Sequence, residues 1–188
     1  MNFLAHLWLA DRSRTSLAGA ILGDVIRGTD LSMYPDDIAH GIRLHRRIDA
    51  ATDRHPLIAA ARSRFAPGER RYAGIVLDLA CDHVLSRDWT LHAEEPFAEF
   101  CQRAATAVAA AGGWFERGGG RPPDADGFAA LLESYGEADG MRLALQRIAG
   151  RVRAPDRLLQ AAADWPHHAQ RLQPQLGALL QDLLRLMH

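Results

Sequence analysis

The sequence predicts an all-α fold, and three observations carry that prediction. Ala and Leu dominate the apolar residues. No window alternates apolar and polar positions with Val, Ile and Thr, as a half-buried strand would. Apolar residues instead recur at spacings of three and four. A length of 188 residues suits one compact helical domain, and 48% apolar with 24% charged residues is ordinary globular usage, which argues against disorder. No stretch approaches about 18 uninterrupted apolar residues, so no membrane span is expected.

The elements follow in order. Residues 2–10 read as a short helix with Asn2 as its cap. A signal peptide is not favoured, because a basic leader is missing and His6 interrupts the apolar run. Thr15 and Ser16 are cap residues for a helix over 16–27, and Gly28 suits its end. Pro35, Asp36 and Asp37 belong in the first turn of a helix reaching about Asp53. Pro56 opens a short helix that Pro67 and Gly68 stop. A long helix covers 69–89, and Pro96 opens another over 96–111. The stretch 112–124 holds five Gly and two Pro and reads as a flexible loop. Helices are expected over 125–135, 139–150, 155–164 and 166–187, with His167 and His168 exposed near the start of the last. The whole, 1–188, reads as one domain, with the chemistry-bearing motifs in residues 1–95.

All 22 basic residues are Arg, against 23 acids, for a net charge of −1. That near-neutral balance argues against a bulk nucleic-acid binder. The charge is uneven along the chain: +3 over 1–75, −8 over 76–140 and +4 over 141–188. Arg-rich ends suit an acidic partner protein, or simply solvated helix faces. Two cysteines, Cys81 and Cys101, form no disulfide framework and no CxxC metal signature. They read as buried small hydrophobes, and a reducing, cytoplasmic setting is expected.

Polar groups on apolar faces are the informative feature. Ile38, Ile42, His45, Asp49 and Thr52 share one face of the third helix, so His45 and Asp49 point inward one turn apart. Ile75, Asp78, Asp82, Leu85 and Trp89 do the same in the 69–89 helix, with His83 beside Asp82. His6 lies on the inward face of the first helix. Asp24 stands near the C-terminal end of the second, where the helix dipole disfavours a carboxylate. Two buried carboxylates one turn apart repel each other, and one must take a proton unless a cation neutralises the pair. A divalent metal would do so. Imidazole plus carboxylate, without Cys, suits Mn²⁺, Mg²⁺ or Fe²⁺ better than structural Zn²⁺. The plainer alternative is a set of buried ion pairs with Arg46, Arg47 and Arg87.

The segments NFLAHLWLA (2–10), GDVIRG (23–28), HRRID (45–49) and LDLACDHVLSRDW (77–89) carry a resemblance. In order and spacing they resemble the acyl carrier protein phosphodiesterase family, over about the first 90 residues. The resemblance implies an all-helical fold distantly like the HD metal-dependent phosphohydrolases. It implies a phosphodiester hydrolase that removes 4′-phosphopantetheine from holo-acyl carrier protein to give the apo form, with Mn²⁺ preferred among divalent metals. By motif position, Asp24 matches an aspartate thought essential in the family. His45, Asp49, Asp78, Asp82 and His83 match the other ionisable motif positions, and His6 joins them as a candidate ligand. Asp82 precedes His83 here, the reverse of the HD dipeptide, so the ligands are not carried over one to one.

In the chemistry implied, a metal lowers the pKa of a bound water and stabilises charge on the phosphoryl oxygens. A carboxylate not occupied by the metal takes the proton, with Asp24 a candidate for this role and also for metal ligand, and Arg27 or Arg46 offsets phosphate charge. An acidic carrier protein would be steered by Arg12, Arg14, Arg43 and Arg47, or by the patch Arg142, Arg147, Arg151, Arg153 and Arg157. Two other readings fit the residues. One is a metal phosphohydrolase of a nucleotide or small phosphodiester, and the other is a non-catalytic helical binding protein.

Overall fold

The structure, a computed structural model, describes residues 1–187. Eleven α-helices and no strand occur among them. The order is α1 (Phe3–Arg12), α2 (Leu17–Val25), α3 (Asp36–Arg54), α4 (Pro56–Ser63), α5 (Ala73–Arg87), α6 (Phe97–Ala110), α7 (Gly112–Arg117), α8 (Ala125–Ser134), α9 (Ala138–Ala149), α10 (Pro155–Ala161) and α11 (Trp165–Arg185). Short 3₁₀ turns flank α5 at Arg70–Tyr72 and Trp89–Leu91, so the long helix expected over 69–89 is divided at both ends. One apolar cluster runs from Met1 in α1's approach to Leu183 in α11.

Local chemistry accounts for the ends of these helices. Ser16 accepts from the Gly19 amide and caps α2 as expected. Beyond Ile26 the chain turns at Gly28, whose φ of +79° is open to glycine at no steric cost. Asp124 caps α8 through the Gly127 amide. Asn2 occupies the cap position of α1 but its side chain makes no capping bond. The stretch 112–124 is only partly a loop. Gly112–Arg117 closes a short helix, anchored by fully buried Phe115, and the irregular segment is confined to 118–124. Burial of one aromatic side chain outweighs the poor helix propensity of the two leading glycines.

The packing that positions the site is the crossing of α2 and α3. Gly19 and Gly23, one turn apart on α2, both face α3. A Cβ on Gly19 would lie 2.6 Å from the Ile38 carbonyl oxygen, and one on Gly41 would lie 2.9 Å from the Gly19 Cα. The backbones therefore meet without intervening side chains, which brings the Asp24 end of α2 against the His45–Asp49 turn of α3. On the other side, α11 covers α5 with Leu172, Leu176, Leu179, Leu180 and Leu183, all buried at helical spacing.

Candidate metal centre

Three helices bring four side chains together. His6 from α1 and His45 from α3 stack with ring centroids 3.9 Å apart. Asp49, one turn along α3, lies 3.0 Å from His6 Nε2 through Oδ1 and 3.1 Å from His45 Nε2 through Oδ2. Asp24, at the end of α2, reaches His45 Nε2 at 3.5 Å. The rings are buried, whereas Asp24 and Asp49 are 48% and 42% exposed, so the cluster has an open, acidic side.

Each imidazole is held for a reason. His45 Nδ1 donates to the Ala20 carbonyl at 2.7 Å, which leaves Nε2 as the atom that meets the carboxylates. A backbone acceptor on one ring nitrogen fixes the other as a ligand in metal sites generally. Gly23 lies beneath the same ring. A Cβ there would sit 2.2 Å from His45 Cγ, so only glycine leaves the imidazole its place. Gly23→Ala is accordingly expected to push the ring aside and shift the His45 ring resonances in NMR spectra, with the helical signal in circular dichroism retained. Unshifted His45 resonances would show that the ring keeps its place without glycine.

Charge follows the geometry. Burial pulls the His6 imidazole down to about 4 despite its bond to Asp49, so the ring is neutral near pH 7. Burial acts the same way on His45, but Asp24 and Asp49 outweigh it and raise the group to about 9. Burial opposes ionisation of Asp49, yet the two imidazoles hold its carboxyl well below the usual range. His6 Nδ1 is buried with no hydrogen-bond partner among the described residues. A buried imidazole satisfied only on its Nε2 edge costs about 1–3 kcal/mol. That cost makes sense where the Nε2 edge has work to do.

The donor set fits a divalent metal. One ligand atom each from His6, His45 and Asp49 lies within 4.8 Å of the others. Ligands at about 2.0–2.2 Å from an ion are at most about 4.4 Å apart, so the 3.0 and 3.1 Å separations fit a shared coordination sphere.

The remaining motif residues take other places. Asp78 lies 2.9 Å from the Met1 ammonium, which is 3.7 Å from Asp49. Asp82 is fully buried, and its two oxygens accept from the Leu4 and Ala5 amides at 2.8 and 3.0 Å. It therefore serves as the N-terminal cap of α1 in place of Asn2, against a burial cost that pushes its carboxyl up to about 7. The expected repulsion between Asp78 and Asp82 is thus relieved by an ammonium and a helix N-terminus, and both Asp82 oxygens are spoken for. His83 turns away from the cluster. Its Nδ1 donates to the Tyr135 carbonyl at 2.8 Å, and the ring lines a cleft of about 530 Å³ with Arg87, Glu137 and Trp165. Arg46 donates to the Ile26 carbonyl at 2.9 Å and ties α3 to the end of α2. Arg27 is exposed and makes no ion pair among the described residues. The expected Arg pairing of the buried acids does not occur at Asp49, Asp78 or Asp82.

Gly23, the Ala20 carbonyl and the capping role of Asp82 are missed by reading ionisable residues alone. The Gly19–Gly23 spacing is the one signal in the sequence for the first, since two small residues one turn apart allow a close helix crossing.

Fold and cluster together define an all-α protein with a His₂Asp group suited to a divalent cation. The family model described as Acyl carrier protein phosphodiesterase matches residues 1–183. The chain belongs to the acyl carrier protein phosphodiesterase family. It is 47% identical over 110 residues to an acyl carrier protein phosphodiesterase of Enterobacter sp. (strain 638), covering 58% of this chain and 57% of that protein. Against the protein of that name from Salmonella agona (strain SL483) it is 50% identical over 90 residues, 48% of this chain and 47% of the relative. Against that from Photorhabdus laumondii subsp. laumondii it is 48% identical over 89 residues, 47% of this chain and 45% of the relative. The chain thus matches about half the length of these curated relatives. No solved structure matches it significantly.

Proposed function

We propose that this protein hydrolyses the phosphodiester of holo-acyl carrier protein, releasing 4′-phosphopantetheine, at a divalent metal held by His6, His45 and Asp49. The convergence of these three donor groups carries the reading, and the family supplies the substrate. A bound divalent metal, Mn²⁺ by the family resemblance, would polarise the phosphoryl oxygens and lower the pKa of a water.

The chain's own groups do the rest. The Ala20 carbonyl keeps His45 Nδ1 protonated, so Nε2 is the nitrogen that would give up its proton to take a metal. Asp24, half exposed at the edge, takes a proton from the attacking water at a carboxylate oxygen. Arg27, with a free guanidinium on the turn after α2, offsets charge on the phosphate. Arg46 keeps that turn in place through Ile26 and adds positive charge beside it. The water oxygen bonds to phosphorus as the bond from phosphorus to the serine oxygen breaks, the proton taken by Asp24 passes to that oxygen so that serine leaves as its alcohol, and phosphopantetheine leaves as a phosphomonoester.

An acidic protein substrate would be drawn by exposed Arg12, Arg14, Arg43 and Arg47. Arg12 and Arg47 each donate to one backbone carbonyl, of His92 and Leu186, and form no ion pair among the described residues. The rate constant kcat/KM on a carrier protein is expected to fall steeply as NaCl rises from low to physiological strength, because screening shortens the reach of these charges. A salt-independent rate in stopped-time assays would count against electrostatic capture. No helix among the described residues is long and apolar enough to cross a membrane. Both cysteines are buried and unpaired, which is compatible with a reducing cytoplasmic setting.

Intact mass spectrometry of holo-acyl carrier protein incubated with this protein and Mn²⁺ tests the reading. Loss of the phosphopantetheine mass, blocked by a chelator, is expected. No loss from a folded, metal-loaded sample would overturn the substrate, and cleavage of a nucleotide instead would assign the centre to small phosphoesters.

A further inference from the structure

A second cluster of cationic and imidazole groups lies outside the candidate centre. Arg64 at the end of α4, with Asp164, His167, His168 and Arg171 at the start of α11, lines a cleft of about 330 Å³. We propose that this cleft binds the phosphate group of a small phosphomonoester, with Arg64, Arg171 and the imidazole of His168 as its donors. The proposal stands apart from the metal centre and from the reaction assigned to it.

His168 is the telling residue. Two adjacent histidines at the start of a helix would both be expected in solvent, and His167 is exposed. His168 is only 9% exposed, and neither ring nitrogen has a hydrogen-bond partner among the described residues. Its ring lies flat on buried Phe65, 4.0 Å between centroids and 4° between planes, which fixes the plane of the imidazole. The His168 ring is part of the lining of the cleft. A ligand in the cleft would give this imidazole the partner that the chain does not supply.

The neighbours say what would complete it. Arg64 and Arg171 come from different helices, are both exposed, and form no ion pair among the described residues. Asp164 is the one acid in the cleft, and its carboxylate accepts from His167 Nδ1. Two guanidinium forks therefore outnumber one engaged carboxylate. Each fork matches two oxygens, and the imidazole adds a further donor. A carboxylate carries one charge and two oxygens in one plane, whereas a phosphomonoester carries about −1.5 to −2 and directs three terminal oxygens to different sides, which suits donors that come from two helices. The first-turn amides at Trp165 and His167 already bond to the Ala162 and Asp164 carbonyls, so the side chains make this site. The field of the 21-residue α11 adds to it. Burial, with help from both Arg residues, holds His168 below its ordinary pKa, and a phosphate beside it would reverse that trend.

The test follows the His168 ring resonances by NMR in the intact protein, at constant ionic strength, while inorganic phosphate or phosphoethanolamine is added. Saturable shifts with both probes at millimolar concentration or below are expected. The Arg64→Ala, Arg171→Ala double variant should weaken both by at least roughly tenfold, an effect local to these resonances. No shift of His168 at saturating phosphate, or equal shifts in the double variant, would overturn the site. A shift with inorganic phosphate but none with phosphoethanolamine would overturn the phosphomonoester class.

Discussion

With the proposed centre, Asp49→Asn should lower turnover on holo-acyl carrier protein by at least about 100-fold and weaken the binding of added Mn²⁺. Asp49 is the one residue that touches both imidazoles, through one oxygen to each. The amide keeps the volume and one acceptor but loses the charge and presents a donor to one of the two nitrogens. Both readouts matter, since a purely structural carboxylate would change neither Mn²⁺ binding nor chemistry. Turnover and Mn²⁺ binding can be measured on the same purified sample. Wild-type values for both would remove Asp49 from the centre.

Asp82→Ala should act through stability. Two amides of α1 lose their only side-chain acceptor in a fully buried position, and a small void replaces the carboxylate. The expected cost is about 3 kcal/mol, built from the unmade hydrogen bonds and the lost cap. At this size a loss of 1 kcal/mol lowers Tm by roughly 2–4 °C, so the midpoint should fall by roughly 6–12 °C. Asp24→Ala makes the matching contrast. Its carboxylate is half exposed and meets only His45, so Tm should hold while turnover collapses. A thermal melt and an activity assay on the two variants separate the roles. Loss of stability in Asp24→Ala with Asp82→Ala unaffected would reverse them.

Helical periodicity placed most of the fold within reach of the sequence. Cap residues and prolines located the helices, and the inward faces of His45, Asp49 and Asp82 followed from spacing of three and four. Two kinds of fact were out of reach. One is tertiary rescue of weak local signals, as where Phe115 draws the Gly-rich start of the 112–124 stretch into a helix. The other is the identity of a buried acid's partner. Periodicity shows that Asp82 points inward but not that α1 presents its free amides there. The same spacing that brought Asp49 to the imidazoles therefore placed Asp82 and His83 beside them as equals, and only the packing of α1 and α8 distinguishes them. His168 is the reverse case, a residue expected in solvent that the stack on Phe65 buries.

Anomalous diffraction from crystals grown with Mn²⁺ tests the central claim most directly. A single strong peak is expected within coordination distance of His6 Nε2, His45 Nε2 and an Asp49 oxygen, and it should vanish in crystals of His45→Ala. A peak at another cluster, or one that survives that substitution, would contradict the assignment of the centre.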